Sequence, residues 1–183
     1  MPRIAFALLL LLLTGCSAST RYNFKFDILS FIPQNQRSLN IPSGYYPTVY
    51  PNLEGQLVPL PISLDILERG QIAIQGNVVN TGSIPMTGSY EIRLAPESDT
   101  NLNDNSGGDV GLGRTSFDVA AGQSQSIASS VNLSATQNSA AFNIIKSGSF
   151  RVAIRVEVNS NGGRFDLTAA QATVIGRPFA LIK

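Results

Sequence analysis

The sequence predicts an all-β protein, an antiparallel sandwich of about seven to nine strands with at most one short helix. Three observations predict it. Apolar and polar residues alternate at period two in segment after segment, turn-forming clusters separate those segments, and one stretch alone, Ala135 to Lys146, admits a helical period.

The clearest strand is Phe150 to Val158. Phe150, Val152, Ile154, Val156 and Val158 share one parity, while Arg151, Ala153, Arg155 and Glu157 share the other. Its core-facing residues are aromatic or β-branched, which suits a pleated, half-buried surface. Gln71 to Val78 places Ile72, Ile74 and Val78 together, and Ser89 to Leu94 does the same with Tyr90, Ile92 and Leu94. Asn80-Thr81-Gly82-Ser83-Ile84-Pro85 between them is a dense turn signal. Thr115 to Val119, Gln125 to Leu133 and Arg164 to Val174 complete the set. Ala121-Gly122-Gln123 divides the first two, and Asn159-Ser160-Asn161-Gly162-Gly163 is expected to be a hairpin loop. In the helical stretch Ser139 is the expected cap and Gly148 the expected stop.

Upstream, Tyr22 to Ile28 alternates as a strand, and its phase slips at Leu29, because Leu29 and Phe31 take the opposite parity. A bulge or strand end is expected there. Ile41 to Pro61 carries Pro42, Pro47, Pro51, Pro59 and Pro61. Proline removes ladder donors, so this stretch is expected to be an irregular strap wrapping the body.

Length and composition bound the functions. The 183 residues have room for one ordinary domain and a leader. With 43% hydrophobic and 14% charged residues the chain is no disordered polyelectrolyte. Thirteen basic residues, Arg3 among them, face twelve acidic ones, so the body beyond the leader is balanced. Such balance argues against broad electrostatic capture of nucleic acid. Histidine is absent and Cys16 is the only cysteine. Neither an intrachain disulfide, a Ser-His-Asp or Cys-His arrangement, nor a Cys/His zinc site can form. No cofactor and no enzymatic activity are expected.

Arg3, then the apolar run Ile4 to Leu13, then Thr14 and Gly15, form the layout of a secretory signal. The apolar run is about half of the roughly twenty residues that a spanning helix requires. Leu13-Thr14-Gly15-Cys16 resembles the bacterial lipobox. That resemblance implies cleavage before Cys16, a diacylglyceryl group on its thiol, palmitate on the mature N-terminus, and residence in the cell envelope. Ser17 after the cysteine implies forwarding to the outer membrane if the host is Gram-negative. The expected organisation is a signal peptide over 1–15, a lipidated tether over 16–21, the first strand and strap over 22–61, and the sandwich body over 62–183, the last two forming a single domain.

Gly76-Asn77-Val78-Val79-Asn80-Thr81-Gly82, the Tyr90 strand, and Phe117-Asp118-Val119-Ala120-Ala121-Gly122-Gln123-Ser124 resemble the immunoglobulin-like modules of bacterial surface proteins. They are also similar to late-embryogenesis type-2 domains. The resemblance spans Gln71 to Val158. It implies an immunoglobulin-like β-sandwich, supplies no catalytic residues, and is the sole source of a stress-protective reading.

Four patterns are candidate sites. The segment Glu97 to Asp109 is rich in oxygen ligands, and Asp99, Asn101 and Asn103 alternate as in calcium loops, although Asp104 stands where a glycine is expected. The same composition builds an ordinary solvated loop. Gly108, Gly111 and Gly113 before Arg114 suggest a phosphate cradle, without the strand before and helix after that it needs. Tyr45, Tyr46 and Tyr50 among the prolines are candidate partner contacts or rings that hold the strap down. Asp65 and Glu68 are carboxylates close in sequence without an acid–base pattern.

The expected function is that of a membrane-anchored, non-catalytic envelope lipoprotein, structural or protein-binding. Its partners would be the lipid bilayer, through acylated Cys16, and another envelope protein or cell-wall polymer. The alternative is a ligand-binding module, calcium-dependent or carbohydrate-binding, on the envelope.

Overall fold

The computed structural model describes residues 21–60 and 66–177. The leader, Cys16, Ser17 and Asp65 lie outside the described residues. The chain runs β1 (Tyr22–Asp27), 3-10 turns at Ile28–Phe31 and Gln34–Gln36, β2 (Ser38–Tyr50), β3 (Gln56–Pro59), β4 (Leu67–Asn80) and β5 (Met86–Pro96). It continues through β6 (Val110–Val119), β7 (Ser124–Ser134), α1 (Ser139–Lys146) and β8 (Ser149–Gly176). The all-β architecture with one short helix is therefore as the alternation predicts.

Strand β8 organises the molecule. Along one edge its first half pairs with β5 (Phe150 opposite Pro96, Asn159 opposite Thr87) and its second half with β4 (Gly163 opposite Asn80, Gly176 opposite Leu67). Along the other edge it takes β3, β2 and β1 in turn. Beyond β5 and β4 lie β6 and β7. All these pairings are antiparallel, and the two halves are two faces of a sandwich joined through one bent strand.

The bend falls at Asn159 to Gly163, where a hairpin loop was the expectation; the segment stays in the strand. Gly162 adopts φ +113°, a left-handed value that suits glycine. A Cβ on Gly163 would come within 2.5 Å of the Val79 carbonyl, so only glycine lets the two backbones approach. Strong turn residues here supply curvature within a strand, a use that glycines also serve.

The expected irregular strap is largely regular sheet. Residues 38–50 form β2, a thirteen-residue strand across the bend of β8. Pro47 pairs in register opposite Glu157, and Pro42 falls at the skipped position between Ile41 and Ser43. The prolines are tolerated because β2 is an edge strand, whose outward N–H positions have no ladder partner to lose. The phase slip at Leu29 is a strand end: β1 stops at Asp27 and a 3-10 turn follows.

Inside, Phe150, Val152, Ile154, Val156 and Val158 are all buried, as are Ile72, Ile74 and Val78 of β4 and Tyr90, Ile92 and Leu94 of β5. In the second half of β8 a register shift opposite Gln75 and Gly76 inserts one residue. Parity switches there, so Phe165 and Leu167 before it and Ala170, Ala172 and Val174 after it all enter the core. Each fully buried large side chain contributes roughly 1.5–3 kcal/mol. Helix α1 buries Ala141, Phe142, Ile144 and Ile145 against β4, β5, β7 and β8. It starts at the expected Ser139, with Asn138 rather than Ser139 in the cap position, and ends before Gly148 at φ +101°.

Candidate functional site

The outer face of the first half-sheet carries a chain of charges. Register puts Glu157 of β8 opposite Ser89 and Arg155 opposite Glu91, and outward-facing neighbours on adjacent strands meet. Arg114 Nη2 lies 2.5 Å from Glu157 Oε2, and Glu157 Oε1 lies 2.5 Å from Arg155 Nη2. Arg155 Nη1 reaches Glu91 Oε1 at 3.5 Å, and Arg93 Nη1 donates to the same oxygen at 3.2 Å. Arg93 Nη2 closes the series on Asp109. Three guanidinium groups thus alternate with three carboxylates. The Arg155 guanidinium, donating to Glu157, holds that carboxyl below its ordinary range. A general acid needs the opposite shift, so Glu157 is suited to holding the face rigid.

Arg93 is the pivot between this face and the loop of residues 97–109. Its Nε donates to the Leu102 carbonyl (3.1 Å) and its Nη2 to Asn105 Oδ1 (2.6 Å). Leu102 is fully buried on the outer surface, against Val49, Ala95 and Ala153. The Leu102 N–H donates to the Leu53 carbonyl at 3.0 Å. The loop is therefore pinned down by a small apolar cluster and a buried cation rather than freely solvated.

The three calcium candidates sit in consecutive side-chain turns of this loop. Asp99 Oδ1 accepts from the Asn101 N–H (2.9 Å), Asn101 Oδ1 from the Asn103 N–H (3.3 Å), and Asn101 Nδ2 donates to Asp104 Oδ2 (2.6 Å). Two buried carboxylate oxygens, Asp99 Oδ2 and Asp109 Oδ1, have no hydrogen-bond partner. Among the described residues no group of three or more carboxylate, thiolate or imidazole side chains comes together around one point.

The tyrosines separate. Tyr45 projects from β2, 68% exposed, on the face that carries Glu157 and Arg155. Tyr46 turns inward and packs half-buried against the core. Tyr50 is buried, donates its hydroxyl to the Gln36 carbonyl, and meets Phe165 edge-on with centroids 5.6 Å apart. Burial pushes its phenol above the ordinary value of 10. Adjacent residues of a strand face opposite ways, which is why Tyr45 and Tyr46 part company.

The glycine pattern divides as well. Gly111 and Gly113 belong to β6, Gly108 to the loop before it, and Arg114 is committed to Glu157. β6 leads into β7, not into a helix. Glu68 lies between Arg21 (3.2 Å) and Arg177 (2.6 Å). Nearby, Arg69, Gln71, Asn132 and Thr173, together with Leu133 and Ile175, line an open cleft of about 620 Å³.

Arg93, Asp109 and Leu102 were not individually marked by sequence reasoning. The one signal was Arg93 itself, a charge two residues after Glu91 on the outward parity of a strand whose next outward position is Ala95.

No family model and no curated relative matches the chain. Among solved structures it is similar to infectious bursal disease virus, Gx strain, at 8% identity and a TM-score of 0.40, covering 88% of this chain and 34% of that one. The chain thus spans about a third of that virus protein. It is similar also to the K1 cleaved adhesin domain of Lys-gingipain from Porphyromonas gingivalis W83, at 13% identity and 0.37, covering 82% and 97%. A third likeness is to TmCBM61 in complex with beta-1,4-galactotriose, at 9% and 0.29, covering 90% and 92%. At these values none of them bears on family, ligand or partner.

Proposed function

We propose that the protein is a lipid-anchored, non-catalytic component of the bacterial cell envelope, in which a stiff β-sandwich is tethered through acylated Cys16 and contacts another envelope protein or a cell-wall polymer. The observation that carries the reading is the junction Leu13-Thr14-Gly15-Cys16 directly after the apolar run Ile4 to Leu13, with no other cysteine in the chain. Two or three acyl chains at that residue suffice for stable anchoring, since each buried methylene contributes about 0.8 kcal/mol. In the described residues no helix is long and apolar enough to cross a membrane, so the lipid would be the attachment. The ion-paired outer face and pinned loop support a scaffold role, and exposed Tyr45 beside them is the proposed partner contact. Outer-membrane residence follows from Ser17 for a Gram-negative host.

Two experiments test this reading. Cys16→Ser should move the protein from the detergent-rich to the aqueous phase; a variant still in the membrane fraction ends the anchoring claim. Purification in mild detergent should bring down a defined envelope partner that Tyr45→Ala weakens, whereas a solitary protein with hydrolase turnover would overturn the binding role.

A second reading, calcium-dependent ligand binding at the loop of residues 97–109, is favoured by the unpartnered oxygens of Asp99 and Asp109. Calorimetric titration with calcium chloride would produce heat that Asp99→Asn abolishes. No heat would end it.

A further inference from the structure

Tyr22 and Phe24 are on the core-facing side of β1, since Phe24 pairs opposite Val174, which is 1% exposed, and Tyr22 opposite Gly176. Yet these two rings are 36% exposed at Phe24 and 42% at Tyr22, and they stack with centroids 6.0 Å apart and planes 18° from parallel. An aromatic pair on an inward face without full cover is unusual for an edge strand, where exposed apolar residues invite association.

We propose that this pair inserts into the headgroup layer of the bilayer that holds the lipid anchor, so that β1 lies against the membrane; the inference rests on acylation at Cys16. Tyr22 is six residue steps along the chain from Cys16, and a fully extended chain covers at most about 3.3–3.6 Å per residue, so Tyr22 stays within about 20 Å of the anchored residue. That tether is short beside the roughly 40–45 Å of a bilayer with its headgroups, and it keeps this end of the sandwich at the surface. Tyrosine and phenylalanine suit that layer, the phenol facing water and the ring facing acyl chains. The charge of this end fits as well. Glu68 is shared by Arg21 and Arg177, while Lys25 and Arg69 are exposed at the same end of the sandwich on its outward face, where their long side chains would meet anionic headgroups around the inserted edge.

The chain has no tryptophan, so one introduced residue is a clean reporter. Acylated Phe24→Trp protein, with Tyr22→Trp as a second variant, is reconstituted into vesicles of phosphatidylethanolamine and phosphatidylglycerol brominated near the top of the acyl chains. Ile84→Trp is the distal control, because the β4–β5 turn lies at the opposite end of β4 from Leu67, the partner of Gly176. Tryptophan at 24 should shift to the blue on vesicle binding and be quenched at least about threefold more than tryptophan at 84, as interfacial depth predicts. Equal quenching in protein that floats with the vesicles overturns the insertion and leaves the anchor standing. Protein that does not float overturns both. If tryptophan at 24 is already shielded in the vesicle-free Cys16→Ser form and does not change, the pair is covered by the chain's own C-terminal residues or a second copy, and the proposal fails.

Discussion

The guanidinium of Arg93 and the carboxylate of Asp109 form an ion pair almost wholly out of water, their side chains 3% and 0% exposed. The pair ties a strand of the sheet to the far end of the 97–109 loop. Removing Arg93 leaves the buried Asp109 carboxylate without its cation, which costs about 3–5 kcal/mol, whereas Arg93 without Asp109 keeps Glu91 at 3.2 Å. Arg93→Ala should lower unfolding free energy by that order in urea titrations, and Asp109→Ala by less. The double variant should lose clearly less than the sum of the two, and strict additivity would mean the pair is not coupled.

Asn80 ends β4 and is 1% exposed. Its Nδ2 group donates to the Ile84 carbonyl at 2.8 Å and the Val119 carbonyl at 2.9 Å, while its Oδ1 accepts from the Gly82 N–H at 2.9 Å. One side chain thus holds the β4–β5 turn to the end of β6. Asn80→Ala strands buried carbonyls and should cost about 2–4 kcal/mol, because each unmet buried group costs about 1–3 kcal/mol. Asn80→Asp should be at least as damaging at neutral pH, since it turns an acceptor toward carbonyl oxygens. Thermal melts of both variants give the comparison.

The tyrosines of β2 should respond in opposite ways. Tyr45→Ala should change stability by no more than about 0.5 kcal/mol, as for exposed sites in general. Tyr50→Ala removes a buried ring and should cost about 3–5 kcal/mol, in the range of other large core truncations. The pH dependence follows from burial at Tyr50, and likewise at Tyr90, where burial also raises the phenol. A raised folded value means the folded state holds the proton more tightly. The stabilisation is complete below the unfolded value of about 10 and is lost as pH climbs above it. Tyr50→Phe should flatten that alkaline decline, and an unchanged slope would show that Tyr50 is not its source.

At the acid end the sign reverses. The Arg155 and Arg114 guanidinium groups hold Glu157 below its ordinary value of 4.5. Their stabilisation is present above that value and declines as pH falls through it. Glu157→Gln should melt lower at neutral pH and show a shallower loss between neutral and strongly acid solution. Parallel melting curves for the two proteins across that range would exclude Glu157 as a contributor.

Much of this architecture could be read from the chain because it rests on local alternation. Phe150 to Val158, Gln71 to Val78 and Ser89 to Leu94 repeat inward and outward residues, and each of these strands is half-buried. What escaped prediction depends on neighbours that periodicity does not encode. Pro42 and Pro47 read as breakers, but β2 lies on an edge where a missing donor has no consequence. Asn159 to Gly163 read as a reversal, but the close approach of Val79 makes those glycines the bend of one strand. The site divides the same way. Parity alone separates Tyr45 from Tyr46, whereas Arg93, Leu102 and Asp109 are brought together only when the loop folds back on β5.

Lipid on Cys16 is tested most directly by the intact mass of the protein extracted from its native membrane. The predicted result is a chain that lacks residues 1–15, begins at Cys16, and is heavier by a diacylglyceryl group with or without a further acyl chain. A chain that retains its first fifteen residues, or begins at Cys16 with an unmodified thiol, would contradict it.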